Sequence, residues 1–369
     1  MSRKYNTLIL GASYGSLLGC KMAMAGHNAT LVCTATTAEL INKEGTLVRF
    51  PVRGRDEMID VPSDGLPGKI NASEPSGIQV EQYDLVVLAM QEPQYSSSAD
   101  VRALIEKIAI AKIPCMAIMN MPPLPYISRF PGIDAASVVD CYKDPSVWKN
   151  FEPGLVTLAS PDPQAFRPED SGKNVLQVNL PTNFKVARFE SDEHTEILRT
   201  IQDDIMLARH QTPEGEIELP VKVKLHESLY VPLAKWSMLM TGNYRCVQLS
   251  GMIPICDAVH NDLQQSAEIY AWTSKVCVAL GADPSDLVPF DKYANAAKSL
   301  SQPSSAAKAL ARGAQAIERV DRLVKQVAAQ KNLTMPLVDE IVDHVQWYLD
   351  NNSLPVEPNT GSNAVRRIA

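Results

Sequence analysis

Two groups of residues have the types and spacing to do chemistry: a small-residue turn at Gly11–Ser16, and a lysine–asparagine pair at Lys235 and Asn243. Gly11-Ala12-Ser13-Tyr14-Gly15 follows the apolar run Thr7-Leu8-Ile9-Leu10 and leads into a stretch where Leu17, Leu18 and Met22 recur at helical spacing. Strand, tight turn and helix in this order cradle a dinucleotide pyrophosphate. Glycines let the backbone approach the phosphates, and the helix N-terminus supplies N–H groups and partial positive charge. Gly11, Ser13, Tyr14, Gly15 and Ser16 are therefore candidate cofactor contacts. The usual G-x-G-x-x-G pattern is altered, because Gly11 and Gly15 enclose three residues and Ser13 stands at the middle glycine. The same letters spell G-x-S-x-G, in which Ser13 would be the nucleophile of a serine hydrolase. That elbow needs earlier strands and an oxyanion loop, which the ten preceding residues are too few to supply.

Lys235 and Asn243 are eight residues apart in an otherwise apolar segment, a spacing that places them about two turns apart on one helix face. A lysine in an apolar helix at an interdomain crevice can protonate a carbonyl oxygen while hydride arrives, since desolvation moves its pKa toward working pH. The alternative is a lysine that merely snorkels to water.

The elements that must position these groups follow from periodicity. Ala29–Cys33 reads as a second parallel strand. An NAD site usually ends this strand with an acid for the ribose hydroxyls, whereas Cys33-Thr34-Ala35-Thr36-Thr37 has none before Glu39. NADP is thus expected in preference to NAD, with Thr34, Thr36 and Lys43 as phosphate candidates; helix capping by Thr36 or Thr37 is the competing explanation. No arginine follows the strand. Tyr83–Met90 reads as a core strand whose carboxyl end, at Met90 and Gln91, should border the nicotinamide. After a helix at 98–109 comes the strand Cys115–Met119, ending at Asn120 beside the rigid Met121-Pro122-Pro123 turn, where the amide can touch a ligand or bond its own turn. Residues 46–80 read as excursions. Residues 130–225 read as an antiparallel extension with one short helix, ending in an alternating strand through Ile217, Leu219, Val221 and Val223. Beyond 225 the chain is helical, with segments near 229–248, 258–280, 306–331 and 336–350.

This predicts an α/β protein: a Rossmann-type domain with added antiparallel strands over 1–225, an all-helical domain over 226–350, and a mobile tail over 351–369. The 369 residues, 45% of them hydrophobic, can bury a core of this size. A net charge of −7 without a basic block disfavours nucleic acid as a partner. Seven scattered cysteines without C-x-x-C spacing, and six histidines without ligand spacing, suggest reduced thiols and no metal. No signal-peptide pattern and no apolar run of about 18 residues is present, so a cytoplasmic protein without a membrane span is expected. Asp343-His344 and His260 with Asp262 read as surface or capping residues rather than a catalytic pair.

The order and spacing of these motifs resemble the ketopantoate reductase family, within the group of 6-phosphogluconate-dehydrogenase-like reductases. The resemblance rests on Gly15-Ser16-Leu17-Leu18-Gly19, Asn120, Lys235 with Asn243, and Ser304-Ser305 followed by Gly313. It implies an NADP-dependent oxidoreductase acting on an oxo or hydroxy compound, with dimeric assembly. By it, Lys235 is the general acid, Asn120 and Asn243 hydrogen-bond substrate or cofactor, and Ser305 helps bind the substrate carboxylate. Four positions depart from the pattern. The glycine turn is one residue short, and Met90 stands where the family often has lysine. Leu239 replaces an asparagine one turn after the catalytic lysine, and the later glutamate falls at Ala316 unless Glu318 shifts into its place. Replacing groups that pair with a small polar substrate weakens its selection. Met90 and Leu239 suit a bulkier or more apolar oxo compound than ketopantoate. An NADP(H)-binding sensor without turnover is the rival outside the enzyme class.

Overall fold

The computed structural model describes residues 3–354, which fall into two compact units. The first holds the chain up to Phe130 together with Asp144–Pro232; the second holds Pro131–Lys143 and the chain from Leu233 onward. The sequence places the change of character near 225, whereas the chain divides after Pro232 and lends 131–143 to the second unit.

In the first unit, β1 (Asn6–Leu10), α1 (Tyr14–Met24), β2 (Asn28–Val32) and α2 (Ala35–Glu44) follow in turn. Next come β3 (Leu47–Phe50), β4 (Ile59–Pro62), β5 (Ile70–Ser73), β6 (Leu85–Leu88), α3 (Ala99–Ile110), β7 (Cys115–Ile118) and α4 (Leu124–Ile127). After the excursion into the second unit come β8 (Val156–Ser160), β9 (Gln164–Phe166), β10 (Val175–Leu180), β11 (Phe184–Ala187), α5 (Asp192–Leu207), β12 (His210–Thr212), β13 (Gly215–Ile217) and β14 (Val223–His226). The main sheet has the order β14-β11-β8-β7-β6-β1-β2-β5. Its strands from β5 to β8 are all parallel, and β11 reverses against β8. β6 and β7 are buried throughout, the pattern of parallel strands covered on both faces.

The sequence reading of 46–80 as excursions is corrected at β5, which is the outermost parallel strand. Its polar composition hides it, and α2 secures it: the Asn42 amide accepts from Ala72 N and donates to Ala72 O, both at 2.8 Å. A side chain thus satisfies backbone groups on the sheet edge. β10 also departs from expectation. It joins β4, β3 and β9 in a separate four-stranded sheet rather than extending the main one. The alternating run through Val221 is not one strand, because Val221 adopts φ +64° and separates β13 from β14. One apolar core, including Leu17, Leu31, Phe50, Val87, Val178 and Leu198, joins α1, α5 and strands of both sheets.

In the second unit, α6 (Ala234–Met238) runs into a π-helical turn, Leu239–Tyr244. A short hairpin, β15 (Val247–Gln248) with β16 (Gly251–Met252), leads to α7 (Ile255–His260), α8 (Leu263–Leu280), α9 (Phe290–Ala297), α10 (Ser305–Ala311), α11 (Val320–Gln330) and α12 (Pro336–Ser353). The expected single helix over 306–331 is two, interrupted around Gly313, whose φ is +89°. The expected mobile tail from 351 is corrected at its start, where α12 continues to Ser353; the rest of it, 355–369, lies outside the described residues. Segment 131–143 is held on α11 by polar pairs. Asp140 accepts from Arg322 and Gln326, and the Gln330 side chain accepts from Asp134 N and donates to Ser137.

Candidate functional site

The glycine turn stands at the carboxyl end of β1, near the middle of the parallel strands, where open α/β sheets bind their ligands. Gly11 has φ +109°, and a Cβ there would lie 2.8 Å from both the Ala89 carbonyl oxygen and Met90 Cγ. Only glycine fits, because the turn packs directly against the end of β6. Gly15 packs the helix onto the strand, since a Cβ would lie 2.8 Å from Ile9 Cγ2. The Ser16 hydroxyl donates to Ala12 O at 2.6 Å and its amide to Ser13 O at 3.0 Å, so Ser16 builds the turn rather than offering its hydroxyl outward. Ser13 precedes the first turn of α1 and makes no side-chain hydrogen bond among the described residues, so no histidine activates it as a hydrolase would require. Tyr14 donates its hydroxyl to Pro163 O at 2.8 Å, which brings the β9 segment alongside the turn.

The neighbouring strand ends complete this half. Tyr95 fixes the peptide at Met90, its hydroxyl accepting from Met90 N at 3.0 Å. Gln91 N donates to Gln94 Oε1 at 3.0 Å, holding the 3-10 turn that follows β6. Asn120 follows β7 and is half-buried. At β2, Thr34 caps α2 and its hydroxyl donates to Thr37 Oγ1 at 3.1 Å; Thr34 and Thr36 are exposed. Lys43 is corrected as a phosphate candidate: it sits in the last turn of α2, away from the β2 end, and pairs with Glu44 at 3.6 Å.

Two charged residues that sequence reasoning missed meet at Cys33. Arg167, just after β9, and Glu74, just after β5, act on the Cys33 thiol in opposite directions, while partial burial raises its pKa. Neither could be found from the β2 segment itself, because the fold brings both from other strands.

In the second unit, Lys235 is half-buried in α6. In a continuous α-helix an eight-residue step overshoots two turns by about 80°. The wider π turn advances less per residue and brings Asn243 back toward the Lys235 face, so the pairing inferred from spacing depends on a feature the spacing does not show. Two contacts hold that turn. Tyr293 donates its hydroxyl to Met238 O at 3.1 Å, and Gly242 leaves room for it, since a Cβ there would lie 2.0 Å from Tyr293 Oη. Ser304, not Ser305, is bonded to this element: its hydroxyl donates to Asn243 O at 2.7 Å and accepts from Ala307 N. Ser305 is exposed in the first turn of α10. Leu239 is buried in the π turn, and Glu318 is buried with its carbonyl accepting from Tyr244 Oη at 2.6 Å. His260 bonds Cys256 O and His344 bonds Val247 O, while Asp262 caps α8; these are local structural roles.

An open parallel sheet with a glycine turn at its middle strand defines the dinucleotide-binding class of fold. Solved structures narrow the fold to that of ketopantoate reductases. A 2-dehydropantoate 2-reductase from Methylococcus capsulatus has a TM-score of 0.66 at 14% identity, covering 95% of this chain and 99% of that one. A putative ketopantoate reductase from Ralstonia solanacearum has 0.61 at 13%, covering 96% and 100%. D-mandelate dehydrogenase, solved with NADH and anilino(oxo)acetate, has 0.62 at 12%, covering 95% and 100%. Comparison with protein-family models and with curated proteins found no match. Among the described residues no helix is long and apolar enough to cross a membrane, and no group of three His, Cys, Asp or Glu could hold a metal ion.

Proposed function

We propose that this chain is a nicotinamide-dependent reductase that interconverts an oxo and a hydroxy compound, with NADP as its cofactor, working as a cytoplasmic homodimer. The observation that carries the reading is the position of the glycine turn, at the carboxyl end of β1 near the middle of the parallel strands and leading straight into α1, where doubly wound sheets hold a pyrophosphate. Bound nicotinamide would supply the hydride. The rest falls to the chain's own residues. The turn at Ser13, Tyr14 and Gly15 would hold phosphate oxygens, with Thr34 and Thr36 at the ribose end. Met90, Gln91 and Asn120 stand at the ends of β6 and β7, where the nicotinamide end of such a cofactor lies. Lys235 would give its proton to the carbonyl oxygen, and Asn243 would orient that oxygen by hydrogen bonding. Ser305, Glu318 and Leu239 would shape the substrate end. Met90 and Leu239 support a substrate bulkier or less polar than ketopantoate, and D-mandelate dehydrogenase, named for an aryl 2-hydroxy acid, shares the fold with the ketopantoate reductases.

The test is NADPH oxidation with 2-oxo acids of increasing side-chain size, ketopantoate among them. Turnover rising with apolar bulk supports the reading. Ketopantoate as the preferred substrate overturns the specificity claim, and no oxidation with any of them favours the sensor.

A further inference from the structure

We propose that Arg167, carried by the β9–β10 connection, recognises the 2′-phosphate of the cofactor's adenosine; the proposal rests on the nucleotide reading above and assigns its specificity to a residue outside the β1–α1–β2 unit. The connection is held before and after Arg167. Before Arg167, Pro163 O accepts from Tyr14 at the glycine turn, and Phe166 is in register with Gln177 of β10. After it, Gly172 lies against α2, where an added Cβ would be 3.9 Å from Leu40 Cδ2. Arg167 lies between these two anchors, close enough to Cys33 at the carboxyl end of β2 for each group to shift the other's ionisation. That strand end is where doubly wound folds place the adenosine ribose.

The state of the guanidinium is the second part of the argument. Arg102, Arg188, Arg199, Arg319 and Arg322 each have a carboxylate partner. Arg167 is exposed and has neither hydrogen bond nor ion pair among the described residues. An incoming phosphate dianion can therefore reach the cation directly. A planar guanidinium can take a phosphate through two parallel N–H···O bonds. Glu74 works in the opposite sense. Cys33 N donates to Ser73 O at 3.1 Å, so the next residue, Glu74, reaches the same strand end; its carboxylate repels a phosphate and can accept from an unphosphorylated ribose hydroxyl. Selectivity is then set by two residues from different strands, Arg167 acting on the phosphorylated ribose and Glu74 against it.

Calorimetric titration with 2′,5′-ADP and 5′-AMP isolates this contact from hydride transfer. Arg167→Gln should weaken 2′,5′-ADP and NADPH by about 10- to 100-fold, the range of a lost charged hydrogen bond, and leave 5′-AMP and NADH unchanged. Arg167→Lys should recover part of the loss, and Glu74→Gln should tighten 2′,5′-ADP. Circular dichroism checks that each variant folds. If wild type binds the two nucleotides equally, or Arg167→Gln weakens both alike or neither, the role of Arg167 is overturned while the nucleotide site stands. If wild type binds neither, the cofactor reading falls and this proposal with it.

Discussion

Two helices of this chain each carry a lysine in apolar surroundings, and the two lysines are handled differently. Lys235 in α6 is half-buried, whereas Lys21 in α1 is 2% exposed. Lys21 donates to Leu219 O at 3.1 Å and lies 5.6 Å from the Phe50 ring centre. Burial, with Lys222 close by, lowers its pKa to about 7. A shifted pKa by itself would nominate Lys21 as the functional lysine. Yet a group that exchanges protons with a substrate must also be reachable, and Lys21 is enclosed by its own fold. Its perturbation bears on stability, whereas Lys235 is partly exposed.

The largest expected effect tests the Lys235 side. Lys235→Ala should lower kcat by about 10²- to 10⁴-fold while NADPH binding measured by calorimetry stays the same. A comparable loss in Lys21→Met, with Lys235→Ala active, would reverse the assignment. Next is Gly242→Ala, whose methyl must displace the Tyr293 hydroxyl and disturb the π turn. About 3 kcal/mol of stability should be lost in urea unfolding, and activity with it.

Lys21→Met should act in the opposite direction and depend on pH. The folded-state pKa of Lys21, about 7, lies below its ordinary value of 10.5, so the cost of burying the ammonium is fully present below pH 7 and fades as pH rises toward 10.5. Removing the charge should therefore stabilise by roughly 1–2 kcal/mol at pH 6, after allowance for the lost bond to Leu219 O. The gain should shrink through pH 8–10 and become a small loss above that, and urea midpoints across the range would show it. A pH-independent difference would mean that Lys21 is not the titrating group. The smallest effect is that of Tyr293→Phe, about 1 kcal/mol for the bond to Met238 O, with a larger fall in kcat than in stability if the turn positions Asn243.

The two regions were also unequally legible in the sequence. The β1–α1 turn could be read directly, because an apolar strand, a glycine that no other residue can replace, and a helical repeat are adjacent in the chain. The strands on either side of it followed from continuous apolar runs. β5 did not, because Asn71 and Ser73 break the pattern and Asn42 supplies its edge partner from another element. Arg167 and Glu74 were invisible for a similar reason: Glu74 reaches Cys33 through the pairing of β5 with β2, and Arg167 comes from the separate sheet that holds β9. In the second unit, Lys235 with Asn243 was picked out by type and spacing. The π turn that aligns them is set by Tyr293, fifty residues further on, and helical periodicity cannot encode such a partner. The break at Gly313 was missed because Ala-rich flanks mask a glycine in the left-handed region.

The loan of residues 131–143 to the second unit has a consequence for synthesis. Asp140 and its partner Arg322 are 182 positions apart. At ordinary elongation rates, roughly 10–40 s pass between their appearance, during which the segment has emerged and α11 has not. Through that interval Val138 and Cys141, buried in the finished protein, have no native cover, and the nascent chain presents a short sticky loop to whatever is nearby.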